Sequence, residues 1–187
     1  IPAAITAYYN LTFDESGAAD PTYTLPDANL TVNGVLNVAD GALVYDNDKN
    51  VSVDDDGATG TAVTVAATGS ISNTGTGDLT LGGDVANAGT ITFNSSDDVG
   101  NAIAIASTGA AREWAGAGTF SMTDVTVSDQ SADLADPEYI FTTSSTDAGG
   151  NTNWVFPVGS FTAADVTPAS LATSANGNVT VEFTNEN

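Results

Sequence analysis

The sequence predicts an all-β protein, a parallel β-helix of about seven coils followed by an extra C-terminal strand. Three observations lead there. A short pattern of polar residue, aliphatic residue and Thr or Ser recurs at nearly constant spacing. Short alternating segments between its copies are broken by Asn-Gly, Asp-Gly and Gly-Gly turns. No stretch carries helical periodicity, and Thr and Val abound where Leu, Glu, Lys and Arg are scarce.

The pattern occurs as Asn10-Leu11-Thr12, Asn29-Leu30-Thr31, Asn50-Val51-Ser52, Ser70-Ile71-Ser72 and Thr90-Ile91-Thr92, with central residues 19, 21, 20 and 20 positions apart. In four copies an apolar residue follows (Phe13, Val32, Val53, Phe93), and in the other Asn73 does. Strand alternation turns Leu11 and Phe13 inward and Asn10 and Thr12 outward. Further strands are expected over 35–38, 42–45, 62–65, 78–81 and 102–105. Two or three strands in each period of about 20 residues make one coil of a solenoid. Such a coil buries its apolar face only by stacking on neighbours about 4.8 Å away. The small residues Ala62, Ala102 and Ala104 read as inward and suit a narrow coil. The rival fold is an antiparallel β-sandwich, which also joins short strands by turns. Regular spacing and small inward residues favour the solenoid.

Composition narrows the function. A chain of 187 residues makes one sizeable domain. Only 14% of residues are charged, against roughly 25% in an average domain. There are 24 acidic residues against Lys49 and Arg112, a formal net charge of −22. Two cations cannot displace the counterions of a nucleic acid, so that partner is excluded. With no Cys and no His, thiolate metal sites, His general bases and Ser-His-Asp triads are excluded as well. No run approaches the roughly 20 apolar residues of a membrane-spanning helix. The start, Ile1-Pro2-Ala3-Ala4, lacks an initiator Met and a signal-like apolar stretch, so we expect a processed chain or a segment of something longer. Little Lys beside abundant Asp, Thr, Ser, Asn and Gly predicts an extracellular location, secreted or at the cell surface.

The stretch Tyr8-Tyr9-Asn10-Leu11-Thr12-Phe13, then Leu25-Pro26, then Asn29 to Val38 resembles bacterial secreted and cell-surface adhesin-like repeat proteins. The runs Gly118 to Gln130 and Asp147 to Phe156 are similar to the closing coils of such solenoids. The resemblance implies a right-handed parallel β-helix of pectate-lyase-type architecture. It also implies adhesive or filament-forming roles, with no fixed catalytic set.

Residues 1–156 thus form the expected β-helix, and 157–187 a Pro-bounded linker with a C-terminal strand. In that strand, Asn178-Val179-Thr180-Val181-Glu182-Phe183, alternation is clear. It reads as a cap, as the start of a further domain, or as a strand that pairs with a neighbouring subunit.

Candidate sites follow from residue chemistry. The acidic cluster Asp46, Asp48, Asp54, Asp55 and Asp56 supplies the oxygen ligands calcium prefers, although it fits neither the EF-hand nor the nonapeptide calcium repeat. Calcium is the one cofactor the composition suggests; otherwise none is expected. Asparagine glycosylation sequons occur at Asn10, Asn29, Asn50, Asn94 and Asn178, and alternation puts Asn10, Asn29 and Asn50 in an outward column. The aromatic residues thin out in the middle of the chain. Trp154 and Phe156 read as core of the last coil or, with Tyr8, Tyr9, Val179, Val181 and Phe183, as residues of a subunit interface. No catalytic residues are expected and the protein is not read as an enzyme. The expected function is an extracellular structural subunit of a fibre or stalk whose partner is a second copy of itself. The alternative is a carbohydrate-binding or adhesive module of a larger secreted protein.

Overall fold

The structure, a computed structural model, describes residues 6–15, 17, 20–45, 48–54, 60–95 and 102–156. The chain divides into Ile1–Pro157 and Val158–Asn187, and all described residues belong to the first unit. The expectations for 157–187, including Asn178, Val179, Val181 and Phe183, lie outside the described residues.

The described residues form strands that pair only in parallel, in three sheets. The first coil is β1 (Ala7–Tyr8), β2 (Leu11–Phe13) and β3 (Thr22–Thr24); the second is β4 (Leu30–Val32), β5 (Leu36–Val38) and β6 (Gly41–Val44). The third is β7 (Val51–Val53), β8 (Thr61–Val65) and β9 (Gly69–Asn73), and the fourth is β10 (Leu79–Leu81), β11 (Asp84–Asn87) and β12 (Thr90–Asn94). The fifth is β13 (Ile103–Ser107), β14 (Arg112–Ala115) and β15 (Thr119–Thr123). The sixth is β16 (Val125–Ser128), β17 (Gln130–Ala132) and β18 (Ile140–Thr143). The last holds β19 (Thr146–Gly149), a bridge from Thr152 to Ser131, and β20 (Trp154–Val155). Sheet A runs β1-β4-β7-β10-β13-β16-β19, sheet B β2-β5-β8-β11-β14-β17, and sheet C β3-β6-β9-β12-β15-β18-β20. This is a parallel β-solenoid of seven coils, and the all-parallel pairing rejects the antiparallel sandwich.

The interior is a set of stacked files. Leu30, Val51, Leu79 and Ile105 follow one another in register on sheet A, and Leu43, Ile71 and Ile91 do so on sheet C. Val32, Val53, Leu81, Ile103, Ile105, Val125 and Val127 are all buried, because the inward face of every strand meets the strands above and below it. Ala62 points inward as expected, but Ala104 lies between the buried Ile103 and Ile105 and faces out, as does Ala102. The interior is filled by larger side chains, with Tyr45, Phe93 and Trp114 fully buried.

The near-constant spacing of the triplets is not the coil length. Leu11 lies on sheet B, Leu30 and Val51 on sheet A, and Ile71 and Ile91 on sheet C. Equivalent positions on sheet A are 21, 28 and 26 residues apart from Asn29 through Asn50 and Asp78 to Ala104. Strands that vary in length, as Leu36–Val38 and Thr61–Val65 do, and connections of unequal length share the difference. Asp48 and Asp54 of the acidic cluster fall in the connections on either side of β7.

The corners bring backbones very close. A Cβ on Gly89 would stand 2.1 Å from the Gly69 carbonyl oxygen and 2.3 Å from that of Ala66, so no side chain fits. Buried asparagines staple neighbouring turns. Asn87 Nδ2 donates to the Thr119 C=O at 3.0 Å while its Oδ1 accepts the Gly89 N–H at 3.0 Å. Asn73, the polar exception in its triplet, points inward: its Nδ2 donates to the Gly77 C=O and its Oδ1 accepts the Gly75 N–H. Its burial costs little because both amide atoms are satisfied.

Candidate functional site

Among the described residues the interior is closely filled. The space between Leu43, Tyr45, Ile71, Ile91, Phe93 and Trp114 amounts to about 10 Å³, about the room for one water, and it is walled by apolar atoms. Burial drives the Tyr45 phenol above its usual range. The neighbouring Asn73 amide eases that rise and Asp78 adds to it, yet Asn73 falls short of a hydrogen bond and Tyr45 Oη is left without a partner.

Asp46, Asp55 and Asp56 of the acidic cluster lie outside the described residues. Asp54 is exposed, and its N–H donates to the Val32 C=O. Asp48 accepts a hydrogen bond from Lys49 Nζ, which also stands 3.3 Å from Asp27. The ammonium holds the Asp48 carboxyl below its usual range, and the hydrogen bonds from Lys49 to Asp48 and Asp27 raise Lys49 in turn. Lys49 thus supplies a positive charge to Asp27 and Asp48 at this turn. Among the described residues no group of three or more acidic side chains converges as metal ligands would.

The sequons Asn10, Asn29, Asn50 and Asn94 are exposed, but the first three do not make one column. Asn10 enters β2 on sheet B, whereas Asn29 and Asn50 enter β4 and β7 on sheet A. Their side chains knit coils together. Asn29 Oδ1 accepts the Asn50 N–H, Asn50 Oδ1 accepts the Asp78 N–H, and Asp78 Oδ1 accepts the Ala104 N–H, each at 2.9–3.0 Å. Asn10 Oδ1 accepts the Val35 N–H in the same way.

The two ends of the solenoid are where apolar surface collects. Tyr8, Leu11 and Tyr23 of the first coil and Phe156 after β20 pack against the core but are only partly buried. Tyr9 is 61% exposed. Tyr23 packs on Phe13 with ring centroids 4.9 Å apart, and desolvation, followed by the charges of Glu15, Asp14 and Asp40, raises its pKa. At the other end, Trp154 belongs to the core rather than the surface. It meets Trp114 edge to face at 5.4 Å, and Trp114 Nε1 donates to the buried Gln130 Oε1 at 2.8 Å. Leu134, Tyr139, Phe141 and Val155, all in the last two coils, are exposed. Among the described residues no other large hydrophobic side chain is.

Tyr139, Phe141 and Val155 escaped the sequence reading as surface residues. The available signal was the run Tyr139-Ile140-Phe141, where apolar residues occupy both faces of one strand. No protein-family model, curated protein or solved structure matches the chain.

Proposed function

We propose that the protein is an extracellular structural subunit, an adhesin-like repeat segment whose stiff solenoid builds a fibre or a cell-surface stalk by association through its ends. One observation carries this reading. Core side chains are left only partly covered at both ends, Tyr8, Leu11 and Tyr23 in the first coil and Phe156 after β20. A solenoid whose terminal coils leave core side chains half-covered gains by stacking on something that covers them. Contacts between unlike ends do not close, so they propagate into filaments. A net charge of −22 opposes this, and association therefore depends on screening by salt or on divalent cations, with calcium the expected ion.

Electron microscopy of the purified protein tests the reading. Filaments are expected at physiological ionic strength, thinning out in very low salt or after chelation, and Tyr8→Asp with Tyr9→Asp should shorten or abolish them. Dispersed monomers under every condition would overturn it. The second reading, a carbohydrate-binding or adhesive module, rests on the exposed Tyr139 and Phe141 rings, 6.4 Å apart and tilted by 55°. A flat sugar stacks on such rings, and glycan-array binding without filaments would favour it.

A further inference from the structure

The outer face of sheet C changes character abruptly along the solenoid. Ser72, Thr92 and Ser121 form one outward file, with Ser72 in register with Thr92 and Thr92 with Ser121. Ser121 precedes Met122, which pairs with Thr142, so Phe141 continues that file and Val155 follows in register. Three hydroxyl residues thus give way to an aromatic and an aliphatic one. Phe141 is 68% exposed, and the exposed Tyr139 ring stands beside it. The connection that leads into this strand carries Asp133, Asp136 and Glu138, the last two exposed, together with the exposed Leu134.

Aromatic faces beside carboxylates attract cations twice over, through the ring quadrupole and through charge. The chain has two cations to offer. Lys49 is engaged with Asp27 and Asp48, and Arg112 sits on β14 of sheet B with its Nε buried. A second copy brings the same two residues and another 24 acids. Charge complementarity therefore points away from self-association at this face. We propose that Tyr139, Phe141 and Val155, with Leu134 and the carboxylates of Asp136 and Glu138, dock a basic polypeptide segment that carries Arg or Lys interleaved with apolar side chains. The site lies on the side of the solenoid and stands independently of the end contacts invoked for fibre assembly.

The test measures binding of a fluorescent peptide of alternating Arg and Leu to the full chain at physiological salt, beside the same peptide with Gln for every Arg. Phe141→Ser leaves the net charge untouched and faces outward, and circular dichroism and the melting curve verify its fold. It should weaken Arg–Leu binding roughly tenfold. Asp136→Asn with Glu138→Gln should weaken it and flatten its salt dependence, and the Gln–Leu peptide should bind poorly. Equal binding by the native chain and Phe141→Ser would reduce the effect to diffuse attraction and overturn the proposal. So would a Phe141-dependent interaction with cellohexaose in place of the peptide, which gives the face to carbohydrate. Loss of self-association in Phe141→Ser by sedimentation would give it to a second copy and overturn the proposal too.

Discussion

The coils in the middle of this solenoid and those at its C-terminal end solve the same packing problem with different residues. Between β4 and β12 the interior is largely aliphatic, the outer faces are polar, and corners lean on glycines pressed against the preceding coil, as at Gly69, Gly77, Gly82 and Gly89. From β14 onward a Trp cluster joins the aliphatic core, with Trp114 between Phe120 and Trp154 and a hydrogen-bonded Gln130 beside it. The corners there include single residues with positive φ that are not glycine. Asp124 (φ 52°) joins β15 to β16 and Asp129 (φ 54°) joins β16 to β17, and Ser144 and Asn153 repeat the device. Where the neighbouring backbone leaves no space for a Cβ, only glycine serves; where it leaves space, Asp, Asn and Ser tolerate the left-handed conformation. Coil crowding decides which corner a sequence position can make.

Four substitutions sharpen the contrast. The largest effect is expected from Trp114→Ala, at about 3–5 kcal/mol, because it empties the aromatic stack and strands Gln130 Oε1. Leu81→Ala in the middle should cost about 2–5 kcal/mol and be felt by coils on both sides. Urea titration with amide hydrogen exchange separates the two, since the Trp114 variant should open the C-terminal coils first. Uniform loss of protection would break the distinction. Next, Gly89→Ala should destabilise by about 1–3 kcal/mol through a clash with two carbonyl oxygens. Asp124→Gly should stay within about 1 kcal/mol of the native chain, since the left-handed corner accepts glycine freely. Thermal melts of the pair are the measurement, and equal losses would contradict the crowding account.

A further small effect, of opposite sign, is expected from Tyr45→Phe. The buried hydroxyl has no partner, so its removal should raise stability by about 1 kcal/mol at neutral pH. The sign of the pH dependence follows from the raised phenol. The unfolded tyrosine ionises near pH 10 while the folded one keeps its proton, so the stability from a neutral Tyr45 is complete below about pH 10 and falls away above it. The native chain should lose stability on the alkaline side more steeply than Tyr45→Phe, as urea unfolding at a series of pH values would record. Parallel profiles would refute the burial of that hydroxyl.

Much of the architecture was legible because alternation is a local property. Expected strands at 35–38, 42–45, 62–65, 78–81 and 102–105 overlap β5, β6, β8, β10 and β13. Asp84-Val85-Ala86-Asn87 and Arg112-Glu113-Trp114-Ala115 were missed, since one aliphatic or aromatic residue among polar and small ones leaves little alternation to read. The even triplet spacing supported the right fold for a partly wrong reason. A polar-aliphatic-Thr segment can serve as a strand on any of three sheets, so copies about one coil apart need not be copies on the same side. Only Leu30 with Val51 and Ile71 with Ile91 prove to be stacked neighbours.

What the amino-acid string settled unaided was the class of fold and the classes of chemistry it rules out, because strand alternation, turn residues and the absence of Cys and His need no knowledge of neighbours. Which residues face each other across coils was decided only in three dimensions, since connections of unequal length set the register. The same holds for Ala104 turning outward, for Asn29 and Asn50 lending their amides to the next coil, and for Phe141 standing on the surface. Each depends on what the chain places alongside a residue some twenty positions away, and that distance is carried by loops whose length no local pattern encodes.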